Sequence, residues 1–79
     1  MPSEKRFGQV LEVYRGHKHD TIAIWDLERK LRFHSYPKQK TGLASRDVIT
    51  FCLDDQGKLA QDVCKIKRTE LPKHLRLLF

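Results

Sequence analysis

Seventy-nine residues make one domain, and at this size a chain buries only about 60–65% of its unfolded surface. A hydrophobic content of 39% supports one small core and argues against wholesale disorder, while no apolar run approaches the ~20 residues of a membrane-spanning helix. Sixteen Lys and Arg against ten Asp and Glu leave a net charge of +6, which favours polyanions through phosphate contacts and counterion release, although small soluble domains that bind nothing anionic share such a surplus.

The opening Met-Pro-Ser-Glu-Lys-Arg has no apolar stretch of the secretory kind, so the cytoplasm is the expected location. Residues 1–5 read as a tail. From Phe7 the chain alternates with period two, the mark of half-buried strands. The first strand is expected at 6–14 and is followed by a polar loop, RGHKHD. The second, TIAIWD, turns Ile22 and Ile24 to one face and Thr21, Ala23 and Trp25 to the other. A short link, LERK, leads to a third strand, KLRFHSY, with Leu31 and Phe33 inward and Arg32 and His34 outward. The long loop PKQKTGLASR carries Pro and Gly breakers. In the fourth strand, DVITFCLD, Ile49, Phe51 and Leu53 alternate inward against Thr50 and Cys52 outward. DDQGK is a hairpin turn in which Gly57 supplies a positive φ, and a fifth strand is expected at 59–67. After it, Leu71, Leu75 and Leu78 have the spacing of one or two helical turns, with Pro72 at the start.

Two cysteines, Cys52 and Cys64, form neither a disulfide framework nor a zinc pattern. A metal site built from His17, His19 and a thiol is outweighed by exposed loop histidines and reduced thiols, so no cofactor is expected. Catalytic motifs are absent: there is no Ser/His/Asp order, phosphate-cradling loop or cysteine-nucleophile pattern. His34 and Ser35 are neighbours in a strand, point to opposite faces, and cannot form a dyad. A binding role is expected, not an enzyme.

Five short strands, a long loop between the third and fourth and a closing hairpin predict an all-β fold. The expected form is a five-stranded antiparallel Greek-key barrel of the oligonucleotide/oligosaccharide-binding (OB) type over 6–68, with a short apolar tail at 69–79. Strand count alone leaves an SH3-like barrel open.

The residues carry a resemblance at this point. Gly8-Gln9-Val10, Ile22, and Leu31-Arg32-Phe33-His34-Ser35 resemble the first strand and the two ribonucleoprotein motifs of the cold-shock domain family. The stretch Gly42 to Leu53 and the run GKLAQDV resemble its later Gly-Leu and Ala-x-x-Val patterns. The likeness covers about four-fifths of the chain and rests mostly on core and turn residues. It implies a cold-shock-like barrel that binds single strands by stacking bases on exposed aromatics. A translation-type barrel of the initiation-factor or ribosomal-protein kind has similar size and charge but fits AQDV and FHS less well.

Most of the family's stacking residues are changed. Its strand-one Trp is Glu12, its first-motif Phe pair is His19 and Thr21, its Gly pair is Lys18 and Asp20, and its outward second-motif Phe pair is Arg32 and Ser35. His34 is kept. Each lost platform removes ~1–3 kcal/mol of stacking per base. A rebuilt face is expected from Tyr14, His19, Trp25, Arg32, His34 and Tyr36, ringed by Arg15, Lys18, Lys30, Lys38 and Lys40. Against it, Trp25 and Tyr36 have an alternative as caps on a loop or on the tail, and Glu12, Asp20, Asp26 and Glu28 would repel phosphate.

The function expected from these residues is single-stranded RNA or DNA binding, with altered or weakened affinity. The alternative is a divergent barrel used for protein interaction or self-association through Leu71, Leu75, Leu78 and Phe79. That tail either meets a partner, folds back on the barrel, or leads into a further domain of a longer chain.

Overall fold

Alternating side chains become a sheet when one face finds a core, and here five strands do so. The computed structural model describes residues 5–38 and 41–77. Its strands are β1 (Arg6–Tyr14), β2 (Thr21–Asp26), β3 (Arg32–Ser35), β4 (Val48–Leu53) and β5 (Ala60–Lys65). They form one antiparallel sheet in the order β3-β2-β1-β4-β5. A single parallel bridge, His34 to Leu59, brings the two edge strands together, and no ladder closes the sheet there. The third, fourth and fifth strands are shorter than the period-two pattern predicts, by trimming at both ends.

The inner face buries Val10, Ile22, Ile24, Ile49 and Phe51, with Leu43 and Ala60 closing the ends. Phe33 and Leu53 pack against them, and the rings of Phe33 and Phe51 lie 6.0 Å apart. Gly8 is required by this packing. A Cβ on it would sit 2.8 Å from the Phe51 ring, 2.9 Å from Ile24 Cγ2 and 3.0 Å from the Trp25 carbonyl. Gly57 adopts φ 69° in the β4–β5 turn, as expected.

A second, smaller core lies on the outer side of the sheet. After β5 a 3₁₀ turn (Arg68–Glu70) and a single-turn helix, α1 (Lys73–Arg76), fold the tail back. Leu71 and Leu75 are buried against Leu27 and Val48, with Phe7, Trp25 and Ile66 packed alongside. The tail is therefore part of the packing of the sheet and not a separate appendage, and Leu71 and Leu75 are spent within the chain. Leu78 and Phe79 lie outside the described residues.

Two facing assignments fail, at Leu31 and Ser35, and two outward-facing residues, Ala23 and Thr50, are covered. Leu31, expected inward, precedes β3 and is 53% exposed. Ser35, expected on the outer face, is buried because it shares the inward parity of Phe33 and pairs with Ile22. Thr50 and Ala23, both expected outward, are buried as well. No described helix is long and apolar enough to cross a membrane.

Candidate functional site

The outer face of β1–β3 is set by register. Trp25 sits between Gln9 of β1 and Arg32 of β3; Ala23 sits between Glu12 and His34; Thr21 faces Tyr14. Tyr14, Arg32 and His34 thus occupy three consecutive rows of one surface. A β-bulge at Leu11, between the Val10 and Glu12 pairings, lets Gln9, Glu12 and Tyr14 line up with that face. Tyr14 is 51% exposed and Arg32 is exposed, while His34 is half-buried. Ala23, small and buried, forms the floor between Glu12 and His34.

Charges on the face are coupled. The Tyr14 hydroxyl donates to a Glu12 carboxylate oxygen. That bond, reinforced by the negative charge of Glu12, raises the phenol above its ordinary pKa, and the Arg32 charge opposes the shift. Arg32 therefore acts on the same patch as Tyr14. Lys18 and His19 stand exposed in the β1–β2 loop, Lys30 in the β2–β3 turn at φ 57°, and Lys38 beyond β3. Lys40 falls outside the described residues.

Four of the residues placed on or beside this surface from sequence have other tasks. Arg15 does not offer a free cation: its guanidinium donates to Asp20 Oδ2 at 2.8 Å and to the Leu43 carbonyl at 3.1 Å, tying the β1–β2 loop to the β3–β4 loop. Trp25 is no open platform; it is half-buried under the Leu71–Leu75 tail, the capping role weighed for it. Asp20 and Asp26 do not oppose phosphate at the surface. Both are fully buried, Asp20 against Arg15 and Asp26 against Arg6 Nη1 at 3.1 Å. Asp26 also accepts the Glu28 and Arg29 amides, each at 3.0 Å, and so closes the β2–β3 turn. Of the four acids expected to weaken the face, only Glu12 and Glu28 remain exposed.

Tyr36 is 53% exposed just after β3 and lines a cleft between the end of β3 and β5. Leu59, at the bridge to His34, is 40% exposed on the same edge. Sequence reasoning assigned nothing on β5 to the site, because its approach to β3 is a contact between distant parts of the chain with no period-two signature. Among the described residues no three His, Cys, Asp or Glu side chains gather in a way that would hold a metal ion. Neither Cys52 nor Cys64 is in a disulfide.

Comparison with models of known families, with curated proteins and with solved structures returned no match to this chain.

Proposed function

We propose that this protein binds single-stranded nucleic acid across the outer face of β1–β3, on a cold-shock-like Greek-key barrel. The strand order, with β1 central and the edge strands β3 and β5 meeting in a parallel bridge, is the adjacency such a barrel requires. The observation that carries the function is the run of exposed Tyr14 and Arg32 and half-buried His34 on neighbouring rows, flanked by Lys18, Lys30 and Lys38. A phenol, a guanidinium and an imidazole are planar groups on which bases stack, and the lysines neutralise phosphates. Pairing of Asp20 with Arg15 and of Asp26 with Arg6 supports the reading, because it takes two phosphate-repelling acids out of the face while leaving the net positive charge unchanged. Loss of the family's usual rings, with Trp25 covered, argues for fewer stacked bases and modest affinity. The protein-partner alternative rested on the apolar tail, and burial of Leu71 and Leu75 takes most of that described surface away.

Fluorescence anisotropy of short labelled RNA and DNA strands at low salt tests this directly. Arg32→Glu and His34→Ala are expected to weaken binding about fivefold or more without lowering the melting temperature. Unchanged affinity in both variants would remove the sheet face as the site.

A further inference from the structure

The seam between β3 and β5 opens on one side of the His34–Leu59 bridge into a cleft of about 480 Å³. Tyr36 and Pro37 line one side, Ala60 and Val63 the other, and Gln61 and Asp62 add polar groups. Its space suits one nucleotide-sized guest. Asp62 is placed by a bulge: Gln61 pairs with Cys52 and Cys64 with Thr50, so Asp62 and Val63 together face Phe51. The bulge holds Asp62 at φ 54°. Its carboxylate makes no hydrogen bond or ion pair with another described residue. The other acid on the cleft, Asp54, is already engaged, since its Oδ1 accepts the Lys58 amide at 2.9 Å and the Leu59 amide at 3.3 Å.

The charges select the guest. Two carboxylates and one described lysine, Lys38, line the cleft, so a phosphate is unwelcome inside it. An uncharged planar group with hydrogen-bond donors is suited, and the apolar walls and the Tyr36 ring favour a base. Single strands leave their Watson–Crick edges free. Guanine alone presents two adjacent donors there, N1–H and the N2 amino group, and a carboxylate accepts such a pair as it accepts the parallel donors of arginine. Adenine and cytosine offer one amino group beside an acceptor, and thymine or uracil one imino group between two carbonyls.

We propose that this cleft takes one guanine of the bound strand, stacked at Tyr36 and read by the Asp62 carboxylate. The inference rests on the sheet-face reading above. The bridge to Leu59 makes the two surfaces continuous, so a strand leaving His34 reaches the cleft next.

The test is anisotropy with a labelled short oligothymidine and with the same strand carrying guanine, inosine or adenine at each position in turn. One guanine position is expected to tighten binding about tenfold, and inosine, which lacks the N2 amino group, to lose most of that gain. Asp62→Asn keeps a residue that tolerates the positive φ and is expected to bring the guanine-to-thymine affinity ratio to about one. If oligothymidine binds but no guanine position gains, or if Asp62→Asn keeps the gain, the cleft is not a guanine site and the sheet-face reading stands. If the wild-type protein binds none of the strands, both fall together.

Discussion

Gly8 shows how one missing side chain fixes the packing of this sheet. Phe51, Ile24 and the Trp25 carbonyl all approach the place where its Cβ would stand. Gly8→Ala is expected to cost about 1–3 kcal/mol by overpacking, read as a lower midpoint in urea denaturation. Asp54 makes a different local contribution. The amide of Lys58 above all, with those of Leu59, Gln56 and Gly57, holds its carboxyl below its ordinary pKa. A depressed folded-state pKa stabilises the fold above the unfolded value of about 4, and this contribution is lost as pH falls through the folded value. Asp54→Ala should therefore flatten the drop in melting temperature on acidification below about pH 4, relative to wild type. An equal drop in both proteins would show that the turn does not depend on this charge.

At the level of elements, the tail decides what Trp25 is. The 3₁₀ turn and α1 contribute no long helix, yet they place Leu71 and Leu75 over Val48, Leu27 and Trp25. Leu75→Ala removes a side chain that is only 3% exposed, and a loss of about 2–4 kcal/mol is expected. Emission of Trp25, the only tryptophan, should shift to the red as its cover loosens. An unshifted spectrum with unchanged stability would mean that the tail does not hold the outer core together. For the same reason Trp25 fluorescence reports on the tail more directly than on a bound strand.

Over the whole molecule, pairing sorts the charges into two classes. The net +6 is spread over the chain, but Arg6 and Arg15 are engaged with buried Asp26 and Asp20. Lys18, Lys30, Arg32 and Lys38 remain exposed around the outer face. If these cations contact phosphates, log affinity should fall against log salt with a slope of about −2 to −3. Anisotropy titrations over a salt series measure that slope. A slope near zero would mean that the surface does not work by neutralising phosphate.

The sequence by itself determined the local pattern. Period-two alternation placed β1 and β2 at their observed bounds, put Ile22, Ile24, Ile49 and Phe51 in the core, and located the Gly57 turn, because each of these follows from neighbouring residues on a pleated chain. The same alternation misassigned Leu31, since parity says which face a residue takes but not where a strand begins, whereas Ser35 was set outward by the cold-shock resemblance and in fact follows Phe33 inward. Only the tertiary structure decided that Trp25 lies beneath the tail, that Arg15 serves Asp20 and Leu43, and that Tyr36 and Asp62 border one cleft. Those outcomes join residues far apart in the chain, and which distant groups meet is set by how the sheet curls and where the tail returns, not by the spacing of any motif.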